Sequence, residues 1–252
     1  WVGVQANVAP EMRRYYQQLT RFSAAFAFLS DVSMLVLGAG LKRREKLSAR
    51  LGDILSLMYL ASAVLKRYED DGRQAADAPL AHWAIWDCMF RAQNAFEGVL
   101  SNYPSRLASL MLRLVIFPIG RPYEMPSDRL GHDVAKLLIE PSATRDRLTD
   151  GMYLPPGPTD IIGTLEAALE ATMVAEPIEA KMRAAQKAGR IDGATAAALA
   201  QAAAEQGVIT AAEHASLNRA AKLRDEVVRV DHFPQDFGLS EAVRPAVHRA
   251  AA

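Results

Sequence analysis

The residue types most often used in chemistry are few in this sequence and widely spaced. It contains one cysteine, Cys88, and five histidines. No two of the histidines stand at a metal-ligand spacing such as i,i+4. The bases nearest to Cys88 in sequence are Arg91 and His82, and a free cysteine in such a setting is typically a small buried residue rather than a reactive thiol. We therefore predict no metal site and no cysteine nucleophile.

One acid–base pair has a spacing that could orient a proton. Asp128 and His132 are four residues apart on a predicted helix, as an orienting acid and a base would be. No Gly-x-Ser-x-Gly elbow accompanies them. The pair alone suggests a stand-alone hydrolase, and this hypothesis ranks behind the two functions given below.

A basic cluster follows a short glycine-bearing break, Gly38-Ala39-Gly40. Its members are Lys42, Arg43, Arg44 and Lys46. They could contact an anionic partner such as CoA phosphates, an acidic lipid surface or a neighbouring domain. The alternative is a solvated face at a helix start, which pairs with Glu45 and Asp53 and complements the dipole of the preceding helix.

Asp31 lies in a stretch, 24–37, that is apolar nearly all round a predicted helix. A helix that is apolar on every side is usually buried on every side. An acid buried there would need a partner, because an unpaired buried charge is very costly. We predict a buried ion pair with Arg50, across a hairpin that closes at the glycine break.

The predicted helix 106–117 is short and strongly amphipathic. Its apolar face is formed by Leu107, Leu110, Met111 and Leu114. Arginines beside such a face are typical of a helix that lies on a membrane surface. The same pattern is typical of a helix packed on a protein core, and both interpretations stay open.

The elements that must position these residues are all predicted to be helices. Two apolar seams repeat at spacings of 4 and 3 and predict two packed antiparallel helices between Tyr15 and Tyr68. The first seam is Tyr15, Leu19, Phe22, Phe26 and Leu29; the second is Leu47, Leu51, Ile54, Met58, Ala61, Leu65 and Tyr68. No stretch of period-2 alternation is long enough for a sheet. The predicted fold is all-α, an antiparallel helical bundle.

The chain is predicted to divide at a proline-rich segment. Residues 1–150 form the helical bundle, 151–158 form a Pro/Gly linker, and 159–252 form an alanine-rich helical extension with a tail. In the extension, Asp192 and Thr210 are predicted to cap two short helices eighteen residues apart. The tail, 231–252, is predicted to pack back through Phe233, Phe237 and Leu239.

Composition restricts the function classes. Of the 252 residues half are hydrophobic, the formal net charge is zero, and one cysteine fits a reducing compartment. We therefore expect no nucleic-acid partner. Charges interrupt the apolar stretches, so we expect no membrane span. The chain starts at Trp1 without a signal-peptide pattern, which we interpret as a fragment or a processed product.

Several long strings resemble the C-terminal region of the long bacterial fatty-acid acyl-CoA dehydrogenases. They are RRYYQQLTR at 13–21, AFLSDVSMLVLG at 27–38, LKRREKLSARLGD at 41–53, AVLKRYED at 63–70, FPIG at 117–120, PSDRL at 126–130 and PSATRDRL at 141–148. The resemblance covers residues 10–155 well and the alanine-rich end weakly.

The resemblance implies a role in fatty-acid β-oxidation in the bacterial cytoplasm, either free or peripheral on the inner membrane. The whole enzyme would use FAD to convert an acyl-CoA to a trans-2-enoyl-CoA. That family's base lies in a Val-Glu-Gly motif, which this sequence lacks, so no catalytic or FAD-binding residue is carried over and the chain alone is expected to be inactive. Its expected partners are the dehydrogenase catalytic domain, a second copy in a homo-oligomer and an anionic membrane surface. The alternative is a membrane-binding or protein-interaction module with no enzymatic role.

Overall fold

The computed structural model describes residues 7–155, 157–158 and 160–229. Within these ranges the chain forms nine α-helices and two short 3-10 helices, at Gly38–Arg43 and Ala75–Asp77, and no strand. The helices are α1 (Arg13–Leu37), α2 (Glu45–Asp70), α3 (Ala78–Ser101), α4 (Arg106–Ile116), α5 (Asp128–Ile139), α6 (Ala143–Thr149), α7 (Ile161–Lys187), α8 (Ala196–Glu205) and α9 (Ala211–Val228). The all-α prediction is confirmed. The predicted packing of the tail through Phe233, Phe237 and Leu239 lies outside the described residues.

The described helices fall into two compact units. The first ends at Leu148 and the second begins at Thr149. Each unit has its own apolar core.

The core of the first unit is built on α2 and α3. All seven positions of the predicted α2 seam, from Leu47 to Tyr68, are buried. The seam of α1 is buried at Tyr15, Phe22 and Leu29, while Leu19 and Phe26 are partly buried against the same core. Short connections make sequential helices antiparallel neighbours.

Aromatic side chains fill the middle of this core. Phe96 is completely buried, and its ring lies nearly perpendicular to the rings of Phe22 and Phe117 at centroid distances of 5.6 and 6.2 Å. Tyr123 is held nearby by Gln93, whose side-chain amide donates to the Tyr123 carbonyl at 2.7 Å and accepts from its N–H at 3.1 Å. The loop after α4 is thereby fixed onto α3.

The outer half of α1 differs from the prediction. Four of its residues are buried, and Phe28, Met34, Leu35 and Val36 are exposed. Helix α1 packs on α2 and α4 along one side, and no part of the first unit that the structure describes covers these four side chains. The expectation that α1 is buried on every side is therefore wrong.

Two helical segments are long and apolar enough to cross a membrane by length and composition. They are Arg13–Arg43 and Glu45–Asp70. In the most apolar 18-residue stretch of each, 11% and 33% respectively is buried. The expectation that charges shorten every apolar stretch below this length is thus corrected. Core helices of water-soluble proteins meet the same criterion, so it does not by itself assign a span.

The helix boundaries show which local signals acted. Gly72 follows α2 with φ +85°, as expected of a glycine just past a helix C-terminus. Helix α2 begins only at Glu45, because the glycine break continues as a 3-10 helix through Arg43. Thr210 caps α9 in a full capping box with Glu213, as predicted.

Two acidic residues that precede helices, Asp77 and the predicted cap Asp192, do not cap them. The side chain of Asp77 caps no N–H of α3, because other groups engage its carboxylate. Helix α8 is capped by Thr195, whose hydroxyl accepts from the N–H of Ala198, whereas Asp192 accepts from the adjacent Gly193.

The second unit is a three-helix assembly of α7, α8 and α9. Its core consists mainly of alanines with a few larger side chains, among them Met182 and Leu217. Small side chains allow helices to approach closely, which suits an alanine-rich sequence. Lys181 of α7 contacts Glu213 of α9 at 3.2 Å.

Candidate interaction surface

The predicted basic cluster lies where α1 turns into α2. Lys42 and Arg43 end the 3-10 helix, Arg44 precedes α2, and Lys46 is in its first turn. All four side chains are exposed. An open depression of about 460 Å³ is lined by three of them, Arg43, Arg44 and Lys46, together with Glu45, Leu47, Arg50 and Asn102. The described ion pairs include none of these cations.

The predicted buried ion pair between Asp31 and Arg50 is wrong. Asp31 is exposed on the outer face of α1, where water solvates its carboxylate and no partner is required. The half-buried Arg50 instead lies across α3. Its Nε is 2.9 Å from the point that a Cβ on Gly98 would occupy.

The predicted apolar face of α4 is turned away from the core of the first unit. Leu107 is 73% exposed, and Leu110, Met111, Leu114 and Val115 are each more than half exposed. Core packing is therefore the wrong interpretation for these side chains. Only Leu112 and Ile116 of α4 are buried.

Hydrogen bonds fix the position of α4 in the first unit. Arg113 donates to both carboxylate oxygens of Glu97 at 2.6 and 2.7 Å, so it fixes α4 to α3. Arg21 of α1 donates to the Ile116 carbonyl at 2.8 Å, and the Tyr103 hydroxyl donates to the Val32 carbonyl at 3.4 Å. These bonds set α4 antiparallel to the second half of α1.

Sequence reasoning missed a polar contact that anchors α6. Arg147 donates to both carboxylate oxygens of Asp77 at 2.5 and 2.8 Å, and Thr144 donates to the same carboxylate at 2.5 Å. The hydrogen bond from Arg147 and then that from Thr144 hold the pKa of Asp77 below its usual value, although burial opposes them. No local pattern could reveal this contact, because its partners are about 70 residues apart.

A test of this contact is acid titration of stability. We expect Asp77→Asn to lower the urea midpoint at pH 7, because the charge-assisted bonds to Arg147 are lost. A carboxyl with a depressed pKa stabilises the fold above its unfolded value, here 3.8, and that contribution disappears as the pH falls through the lower folded value. The difference between variant and parent should therefore be constant near neutral pH and shrink as the pH falls below 3.8.

The measurement is urea unfolding followed by the fluorescence of Trp83 and Trp86, which report on the first unit. The matched control is Asp70→Asn, because Asp70 pairs with Lys66 in solvent, and exposed pairs contribute little. A midpoint difference for Asp77→Asn that does not shrink as the pH falls below 3.8 would contradict this account.

The residues considered for chemistry have ordinary structural settings. Burial raises the pKa of the Cys88 thiol, which suits a structural residue. Burial lowers the pKa of His82, whose Nδ1 lies 3.0 Å from the Tyr15 hydroxyl. Asp128 and His132 are both exposed and share no described hydrogen bond. Among the described residues no three metal-binding side chains converge.

The pocket between α2, α3 and α6 does not fit FAD. Its volume is about 320 Å³, near the lower end of the roughly 300–1,000 Å³ of small-molecule sites. Its lining is mostly apolar, and the carboxylate of Asp77 and the guanidinium of Arg147 already bond to each other. Burial and a hydrogen bond to Glu11 raise the pKa of Tyr68, on the same rim, to about 12.

The fold and its surfaces define an all-α protein whose distinguishing features are exposed apolar and basic faces. The family described as acyl-CoA dehydrogenase, C-terminal, bacterial type matches residues 2–233. The chain belongs to that family. No solved structure matches it.

Proposed function

We propose that this chain is the helical C-terminal region of an FAD-dependent acyl-CoA dehydrogenase of bacterial fatty-acid β-oxidation. In the whole enzyme an acyl-CoA is converted to a trans-2-enoyl-CoA in the cytoplasm. The chain itself supplies no catalytic group and no flavin contact. Its role is scaffolding: the outer face of α1 docks on the catalytic domain.

The observation that carries this proposal is the exposed apolar surface of α1. Leu35 is 86% exposed, Met34 62% and Phe28 41%. Contiguous apolar surface of this kind marks an interaction site. Its removal from water stabilises a complex by roughly 25 cal/mol per Å² of apolar area.

Family membership supports the catalytic domain as the occupant of this face. The matched family is defined as the C-terminal region of acyl-CoA dehydrogenases. The catalytic domain is therefore the partner that belongs to the same enzyme. A second copy of the chain, in a homo-oligomer, is the competing occupant and an outcome of the test below.

We expect the purified 252-residue chain to bind no flavin and to turn over no acyl-CoA. The measurements are absorbance at the flavin band after incubation with FAD, and reduction of an artificial electron acceptor with acyl-CoAs of several lengths. The catalytic part of the dehydrogenase, assayed in parallel, is the positive control. Stoichiometric FAD with turnover by the chain alone would contradict the non-catalytic role.

A second candidate function, peripheral membrane binding, is favoured by the exposed face of α4. Leu107, Leu110, Met111, Leu114 and Val115 form a continuous stripe at helical spacing. An exposed apolar stripe on a short helix is typical of helices that lie in the headgroup region. The basic cluster adds attraction to an anionic surface of roughly 1 kcal/mol per cation near that surface.

This candidate predicts co-sedimentation with vesicles that contain anionic lipid. Binding should weaken at high salt, because the electrostatic part is screened. Leu110→Asp with Leu114→Asp should reduce binding at least about tenfold, since charges oppose insertion of the stripe. Leu165→Asp, on the exposed side of α7, is the matched control. Absence of binding at low salt would exclude a membrane role.

A further inference from the structure

We propose that the depression at the start of α2 is a binding site for a phosphomonoester. This proposal goes beyond the docking role of α1, because it assigns a ligand to a site that lies outside the docking face. Its cationic residues are Arg43, Arg44, Lys46 and Arg50, and Asn102 closes the far wall.

The charge in the depression is unbalanced. Four cationic side chains line it, whereas its lining contains one acid, Glu45. The described ion pairs do not engage any of the four. Like charges this close repel one another, so a bound anion relieves repulsion as well as forming new bonds. Guanidinium groups match phosphate oxygens in a bidentate geometry.

The turn that presents Arg43 and Arg44 is fixed by hydrogen bonds. The Ser48 hydroxyl donates to the Leu41 carbonyl at 3.0 Å, and the Arg44 N–H donates to the same carbonyl at 3.1 Å. The turn therefore presents two adjacent guanidinium groups from a defined backbone.

The opposite wall is fixed by α3. The Cδ and Nε of Arg50 lie 3.0 and 2.9 Å from the position that a Cβ on Gly98 would occupy. Arg50 thus occupies space that the absence of a side chain at Gly98 leaves open. Asn102 is held at the end of α3, because its amide nitrogen donates to the Gly98 carbonyl at 2.8 Å. Side chains from three segments converge on one open volume.

The net charge favours a phosphomonoester over a carboxylate. A phosphomonoester carries about −1.5 to −2 charges at pH 7, with three acceptor oxygens. A carboxylate carries one charge and two oxygens. The excess of cations over acids in the depression matches the larger charge.

Two sources could present this group, the 3′-phosphate of coenzyme A or the headgroup of a phosphatidic acid. The site itself does not depend on the proposed dehydrogenase role. That role suggests only the first probe. The experiment therefore contains a soluble arm and a vesicle arm. Absence of binding to one source then leaves binding to the other source separately testable.

The soluble arm is calorimetric titration of the 252-residue chain with coenzyme A and with dephospho-coenzyme A, which differ by the phosphomonoester alone. We expect the dephosphorylated probe to bind about tenfold more weakly. Arg43→Gln with Arg44→Gln should weaken coenzyme A binding by a similar factor. The matched control is Arg13→Gln with Arg14→Gln, also adjacent exposed arginines, at the start of α1.

The Gly98→Ala variant tests whether binding depends on the position of Arg50 or only on the positive charge of the surface. The new methyl group would displace the Arg50 side chain without a change in charge. Alanine also favours the helix, so folding is retained. We expect binding to weaken several-fold in this variant.

The vesicle arm compares phosphatidylcholine vesicles with and without phosphatidic acid. The proposal is supported by saturable binding in either arm, and the arm that binds identifies the source. This binding must be weaker in the Arg43→Gln/Arg44→Gln and Gly98→Ala variants and unchanged in the Arg13→Gln/Arg14→Gln variant. Absence of binding in both arms overturns the proposal. So does equal binding of the two coenzyme forms without vesicle binding, or equal loss in the control pair.

Discussion

Phe96→Ala is expected to destabilise the first helical unit by about 3–5 kcal/mol. Phe96 is completely buried between the rings of Phe22 and Phe117. Its truncation removes apolar contacts and leaves a cavity that rigid helices cannot close. The edge-to-face contacts add to this loss.

The control is the same substitution at a different depth. Phe28 is 41% exposed on α1, so Phe28→Ala should change stability by less than about 1 kcal/mol. Both variants can be measured by urea unfolding, with Trp83 and Trp86 as reporters of the first unit. Equal destabilisation by the two substitutions would show that the core is not centred on Phe96.

The α2 helix was predictable because its seam repeats without interruption. Seven apolar positions at alternating spacings of 4 and 3 require one buried face, and α2 buries all seven. The caps of α5 and α9 follow from serine and threonine at their starts, Ser127 and Thr210. These are local signals, and periodicity alone reveals them.

The surface features were less predictable because they depend on partners. A continuous apolar pattern indicates that α1 is covered in the functional protein. It does not indicate whether this chain or another molecule covers it. That ambiguity explains the wrong assignment of Asp31 to a buried pair. Similarly, the contact between Asp77 and Arg147 joins distant segments, and neither residue has a local signature for it. The basic cluster was visible in sequence, whereas the part of its wall supplied by Gly98 and Asn102 was not.

Met34→Glu with Leu35→Glu is expected to weaken association with the dehydrogenase catalytic part at least about 100-fold. Both side chains are more than half exposed in this chain, at 62% and 86%. If the catalytic domain covers them, two glutamates would be buried without partners in an apolar interface. An uncompensated buried charge costs about 3–5 kcal/mol, and 1.4 kcal/mol corresponds to a factor of ten in affinity.

The same substitutions should leave the isolated chain folded. Exposed positions away from caps and ion pairs usually change stability by no more than about 0.5 kcal/mol. Glutamate also has a good helix propensity. The helical circular dichroism and the urea midpoint of the variant are therefore expected to match those of the parent. Agreement on both would separate a lost interface from a lost fold.

The most direct test of the central claim is sedimentation velocity of the 252-residue chain mixed with the FAD-loaded catalytic part of the dehydrogenase. We predict an equimolar complex for the parent chain, and none for Met34→Glu with Leu35→Glu at the same concentrations. Ile161→Glu with Val174→Glu, on exposed apolar positions of α7, should bind as the parent does. An unaltered complex for the α1 variant, or self-association of the chain through α1 in place of that complex, would contradict the account.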